Sequence, residues 1–376
     1  MSTAKQNEAN VVAERLRNHK LSSPVFKQPA DVVRWFGAVQ AQEFHAAKWA
    51  LALRMRETTN AEVEDAFNRG EILRTHLLRP TWHFVTPEDI RWLLQLTGPR
   101  VNVRCSSVYR QYELDEAVLK RSNRALTNAL KGGKQLTRSE LRVVLKRAGI
   151  TADDTVRFAY ILLRAELDGI VCSGPRRDNQ FTYALLEERV PASNDLSGDE
   201  ALAELTRRYF ASHGPATLAD FVWWSGLTTN DARRGIALLN HDVERMVIAE
   251  TVYWTLASAA KPSRTIDAHL LPAYDEYNVA YKNRQVVFDQ DSVSRITTWG
   301  ALGPCVIIDG RIVGIWKSTG NESALTITVT PSRDLRKQEK VAVAKAVERY
   351  AAFAKKVRIN AAAKGKHVAL RWVDEV

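Results

Sequence analysis

Residues 38–49 read AVQAQEFHAAKW, so Gln40 and Gln42 stand one residue apart between two helix-like apolar patterns. A glutamine is no strong acid, base or nucleophile; its amide offers a carbonyl acceptor and two N–H donors. Such a pair can hold a small neutral molecule such as water and turn its dipoles toward developing charge. Whether both amides reach one point depends on the backbone between them. Residues i and i+2 of a helix diverge, whereas an extended or turning segment lets them share a side. Convergence therefore requires a helix break, which Gly37 and a fresh helix from Glu43 would supply. From the pattern alone the plainer alternative comes first: one glutamine caps the next helix and the other faces solvent.

Other residues offer different chemistry. His76 and His83, beside Trp82, lie on the strand-like runs ILRTHLL and TWHFV, where a histidine either lines a groove or bonds a backbone carbonyl. Asp275 and Glu276 in AYDEYN could activate a water, although the stretch also reads as a join between domains. Trp223 and Trp224 sit at helical positions that favour the core. Cys105, Cys172 and Cys305 are far apart with no C-x-x-C, which suggests neither a disulfide framework nor a thiolate zinc site. Motifs of zinc proteases, P-loop NTPases and elbow-type hydrolases are missing. No metal and no cofactor is expected.

The elements that must carry these residues recur along the chain. Thr137-Arg-Ser-Glu140 and Thr151-Ala-Asp-Asp154 both fit a helix-capping pattern. The helix LRVVLKRAGI, the longer TVRFAYILLRAELDG and two strand-like runs in GIVCSGPRRDNQFTYALL follow, with Arg176 and Arg177 at the tip. Helix, turn, helix and β-hairpin is the plan of a winged helix. Downstream, ALAELTRRYFASHG, caps at Thr217 and Thr228, a helix carrying Arg233 and Arg234, and the alternating HDVERMVIAETVYWTLA repeat it. A looser copy spans helices near 8–20, 31–39, 43–56 and 61–69 and a strand pair around Arg79-Pro80. Beyond residue 262, Asp309-Gly310 marks a hairpin, SALTITVTPS a strand, KQEKVAVAKAVERYAAFAKK a helix and HVALRWVDEV a last strand. The expected fold is α+β: three tandem winged-helix units, over 1–112, 113–195 and 196–261, then a β-rich, barrel-like domain over 262–376.

The chain has 376 residues, 54 Lys and Arg against 43 acids and a net charge of +11, a balance that favours a polyanionic partner. Winged helices usually bind duplex DNA, and Arg79, His83, Arg176, Arg177, Arg233 and Arg234 are the expected DNA contacts. Arg100, Arg104, Arg110 and the basic stretch at 355–367 read first as solvated surface. No apolar run approaches the roughly 18 residues of a membrane span, and the polar N-terminus shows no secretory signal. A cytoplasmic monomer is expected.

The order of QAQ, LLRPTWHFVTPEDIRWLL at 77–94, the hairpin ending FTYALLEERV, LLPAYDEYNVAYKNR at 270–284 and VIIDGRIVGIWK at 306–317 resembles the winged-helix DNA glycosylases of the AlkZ/YcaQ type. The resemblance runs over nearly the whole chain. It implies a concave DNA-binding surface and a catalytic glutamine–aliphatic–glutamine motif, matched here by Gln40, Ala41 and Gln42. Some relatives carry aspartate at the second position; Gln42 aligns this chain with the branch that unhooks interstrand crosslinks. The resemblance implies a monofunctional glycosylase acting on duplex DNA with N7-alkylated or crosslinked purines. Such a base is already cationic, so it leaves without an acid, and two amides would suffice to hold the attacking water. The alternative is a non-catalytic winged-helix DNA-binding protein such as a transcription regulator.

Overall fold

A computed structural model describes residues 3–191, 196–256, 266–288, 302–320, 324–354 and 367–372. The chain opens with α1 (Thr3–Asn18) and α2 (Pro29–Phe36). Pro29 suits the first helical turn, where its missing N–H costs nothing. Gly37, at φ 81°, ends α2 in a conformation that side chains with a Cβ resist. There follow β1 (Val39–Gln40), α3 (Phe44–Ala52), α4 (Asn60–Arg69), β2 (Leu73–Leu77) and β3 (Thr81–Val85). The three strands form one antiparallel sheet with β3 in the middle.

A long helix, α5 (Ile90–Gln111), leads to a second group: α6 (Glu116–Leu130), β4 (Leu136–Thr137), α7 (Arg138–Arg147), α8 (Thr155–Leu167), β5 (Val171–Ser173), β6 (Thr182–Leu185) and the short α9 (Leu186–Arg189). Thr137 closes the expected capping box with Glu140. Thr151 does not cap α8: Asp154, directly ahead of the helix, accepts from the Arg157 N–H instead. The third group is α10 (Gly198–His213), α11 (Leu218–Ser225), α12 (Thr229–Leu239), β7 (Val243–Ile248) and β8 (Thr251–Leu256). Thr217 and Thr228 form capping boxes with Asp220 and Asp231, as their sequences require.

The last group comprises β9 (Ala268–Leu271), α13 (Glu276–Val279), β10 (Cys305–Ile308), β11 (Arg311–Gly320), β12 (Ala324–Pro331), α14 (Lys337–Ala354) and β13 (His367–Trp372). Asp309 and Gly310, both at positive φ, make the tight turn between β10 and β11. The helix α14 lies in the crossover that makes β13 parallel to β12. Among the described residues the sheet runs β13-β12-β11-β10-β9 with β13 and β9 as its ends, an open sheet where a barrel was expected.

Sequence order does not follow the division of the core. One buried cluster joins Leu73 and Val85 of the first group to the second and third groups. The other joins α2, α3 and α4 to the terminal sheet, with Phe36, Trp49 and Phe67 packed alongside Ile307, Ile327 and Val347. The Trp49 indole N–H donates to the Leu270 carbonyl at 2.7 Å, and the Arg349 guanidinium donates to the Leu53 carbonyl at 2.9 Å. The terminal group is thus tied to α3, the helix that follows the two glutamines.

Candidate active site

The segment between α2 and α3 is extended, which is the condition for the two glutamines to act together. Val39 and Gln40 pair with Phe84 and His83 of β3, and the Ala41 N–H donates to the Trp82 carbonyl at 2.7 Å. Neither glutamine caps α3. Glu43 holds the cap position, and its side chain makes no capping bond.

Gln40 is buried and Gln42 exposed. The Gln40 Oε1 accepts from Arg79 Nη2 at 2.9 Å, and the Gln42 Oε1 accepts from the Trp82 backbone N–H at 3.3 Å. Both partners can only donate, so they fix which end of each amide is the carbonyl. Each carbonyl oxygen keeps a second lone pair, and each NH2 is turned away from its donor. Arg74 stiffens the same strand. Its guanidinium donates to the Ala41 carbonyl at 2.9 Å and to the Gln42 carbonyl at 3.3 Å, and lies 4.1 Å from the centre of the Trp82 ring. Burial lowers its pKa to about 10, which leaves it charged at neutral pH.

Beneath Gln40 lies a buried carboxylate. Glu276 Oε1 accepts from the Gln40 N–H at 2.6 Å, while Oε2 accepts from the Trp224 indole N–H at 2.9 Å and faces His213 Nε2 at 3.3 Å. Burial works to raise the Glu276 pKa, but the bonds from His213 and Gln40 prevail and leave it lowered. Glu276 is buried with both oxygens engaged, and it supports the glutamine backbone. Asp275 is engaged elsewhere, in two 2.8 Å bonds from Arg54. Both carboxylates are thus buried and bonded within the protein.

Arg79 and His83 do not lie on an open DNA groove. Arg79 is 9% exposed, bonded to Gln40 and to the Trp223 carbonyl, and His83 is fully buried. Arg79 lies in the turn between β2 and β3, and His83 lies on β3, in a sheet that packs against α2 and α5. His76 is half-buried, its ring tilted against Trp82 at 4.0 Å between ring centres and held at Nδ1 by Glu166. Trp224 is buried as expected, whereas Trp223 is 41% exposed, its ring beside Arg79 and Arg284.

The hairpin arginines differ from one another. Arg176 points back into the protein, 2.7 Å from Glu64, with 7% of its side chain exposed. Arg177 is half exposed but paired with Glu140 at 2.9 Å. On α12, Arg233 is exposed and Arg234 pairs with Asp199 at 2.7 Å. Arg100, Arg104 and Arg110 lie on α5, and residues 355–366 fall outside the described ones. Sequence reading overlooked Arg74, although a charged residue inside the apolar alternation of ILRTHLL was a visible signal. Among the described residues no cluster of three His, Cys, Asp or Glu could hold a metal ion. The three cysteines are buried, and burial pushes the thiols of Cys172 and Cys305 up to about 12. No described helix is long and apolar enough to cross a membrane.

A curated protein, an interstrand DNA cross-link repair glycosylase of Streptomyces sahachiroi, is 28% identical over 371 residues, covering 91% of this chain and 94% of its own. The solved structure of the Streptomyces sahachiroi DNA glycosylase AlkZ superposes with a TM-score of 0.79 at 22% identity, over 97% of this chain and 99% of that one. It shares the fold. The family model described as DNA glycosylase AlkZ-like matches residues 33–353, a span that holds both glutamines and every residue that orients them. The chain belongs to the AlkZ-like DNA glycosylase family.

Proposed function

We propose that this protein hydrolyses the N-glycosidic bond of N7-alkylated purines in duplex DNA, including purines joined in interstrand crosslinks. The observation that carries the reading is the pair of amides, each oriented through its carbonyl by a partner that can only donate. An alkylated purine leaves as a neutral base, so the protein need not protonate it. What remains is to steady an oxocarbenium-like sugar and deliver water to C1′. The second lone pair on each carbonyl can accept from that water, and the same dipoles face the growing positive charge. Glu276, buried and engaged, holds Gln40 in place for this.

The three groups of helices with their hairpins act as three winged-helix units, bounded near residues 112, 195 and 261, that grip the duplex. Arg177, Arg233 and Arg234 contribute phosphate contacts from the surface; Arg79 and Arg176 serve the protein's own framework. The crosslink substrate is supported by the similarity to the interstrand DNA cross-link repair glycosylase of Streptomyces sahachiroi. The reaction is a simple hydrolysis with no strand-cleaving step, and the enzyme works as a monomer in the cytoplasm.

The test is a panel of duplexes carrying one N7-methylguanine, one uracil or one N7-linked crosslink. The enzyme should leave an alkali-labile site at N7-methylguanine, unhook the crosslink and spare uracil, with no strand break before alkali. Tight DNA binding without release of any base would reject the glycosylase in favour of a non-catalytic DNA-binding protein.

A further inference from the structure

The sheet beside the glutamines carries buried polar atoms that the framework leaves unused. Gln40 of β1 and Thr75 of β2 stand directly opposite His83 of β3, one on each side. Directly opposed residues share a face of the sheet, with Cβ atoms about 5 Å apart. Thr81, two residues before His83, shares that face too. The His83 Nε2, the Thr75 hydroxyl and the Thr81 hydroxyl are buried, and none has a hydrogen-bond partner. Unsatisfied buried polar atoms are costly and rare, and three together on one face point to a polar guest.

The tautomer of His83 is determined by its other nitrogen. Nδ1 lies 2.9 Å from the Thr81 carbonyl, which can only accept, so Nδ1 carries the hydrogen and Nε2 is a bare acceptor. Burial, reinforced by the Arg79 charge and opposed by Glu276, lowers the His83 pKa to about 3. The ring is neutral throughout the physiological range. His76 adds a further small downward push.

We propose that His83 is a catalytic residue: its Nε2 accepts a hydrogen bond from the water that Gln40 presents to the sugar, and the Thr75 hydroxyl completes that water site. The assignment rests on the glycosylase reading. As the C1′–N9 bond breaks, its electron pair neutralises the alkylated purine. The water oxygen then bonds C1′, and one of its protons passes to His83 Nε2 and on to solvent. A protonated hemiacetal oxygen is far more acidic than any imidazolium, so a weakly basic histidine suffices. The products are the free base, a 1′-hydroxyl abasic sugar and one proton.

His83→Leu, His83→Gln and Thr75→Val would be compared with wild type for single-turnover excision of N7-methylguanine, DNA affinity and thermal midpoint. His83→Leu should lose about 100-fold in rate, the lower end of what acid–base groups contribute. Its DNA affinity should be unchanged, and its midpoint should not fall, because an unsatisfied acceptor has been removed. His83→Gln, which places an amide where Nε2 was, should keep its rate within about tenfold. Thr75→Val should slow excision several-fold. A His83→Leu protein that is folded and as fast as wild type overturns the proposal. If His83→Leu does not fold, equal rates for wild type, His83→Gln and Thr75→Val overturn it. No excision by wild type would instead reject the glycosylase reading itself, and this proposal with it.

Discussion

At the scale of single residues, the two glutamines are worked by their neighbours. Arg79 was expected to touch DNA; it orients Gln40 instead. Arg79→Met should therefore slow base excision by about tenfold to a hundredfold, the range of one charge-assisted hydrogen bond of roughly 1.5–3 kcal/mol. Its DNA affinity should change by less than about twofold, since the guanidinium is 9% exposed. Surface arginines should behave in the opposite way. Arg233→Ala should leave the single-turnover rate intact and reduce the slope of log affinity against log salt by about 1. Quench-flow and binding titrations at several salt concentrations separate the two classes. That distinction was hidden in the sequence because an arginine reads the same whether it faces a phosphate or a glutamine. Only the pairing of β1 with β3 brings Gln40 and Arg79 together.

At the scale of elements, the legible features are local ones. Thr137, Thr217 and Thr228 cap their helices because each hydroxyl meets the N–H three residues on and each acid reciprocates. Thr151 failed for a local reason as well: Asp154 stands nearer the first turn of α8 and takes the same role. The Asp309-Gly310 turn, the hairpin of β2 and β3 and the break at Gly37 were all readable from short-range sequence. Contacts across the chain were not. Arg54 and Asp275 are 221 positions apart and form a fully buried pair, 2.8 Å at both oxygens. Asp275→Ala should cost about 3–5 kcal/mol in denaturant unfolding, since it strands a buried guanidinium. Thr137→Ala, which removes only a cap, should cost about 1 kcal/mol. Equal losses would mean that the buried pair does not hold the terminal sheet against α3.

At the scale of the whole molecule, the first group and the terminal sheet share one core although the intervening groups separate them in sequence. The expectation of separable domains could not foresee this, because periodicity identifies an apolar face and not its partner. The shared core also sets the response to acid. Burial holds His19, His83 and His213 below their ordinary 6.5. The unfolded chain therefore binds more protons than the native one, and stability falls as pH drops below about 6.5. Glu339, held at about 2 by Arg333 and Arg336 against an ordinary 4.5, adds a further loss as pH falls below that value. Thermal midpoints measured from pH 7 to 4 should decline steadily; a midpoint that rises on acidification would contradict these assignments. The central claim is that the two amides perform the reaction, and one measurement meets it directly. A duplex with a single N7-methylguanine is incubated with wild type or with Gln40→Ala/Gln42→Ala, treated with mild alkali and resolved on a denaturing gel. The account predicts cleavage at the lesion by wild type, a loss of at least about 100-fold in the double variant and similar DNA affinity for both. Equal cleavage by a folded double variant would contradict it.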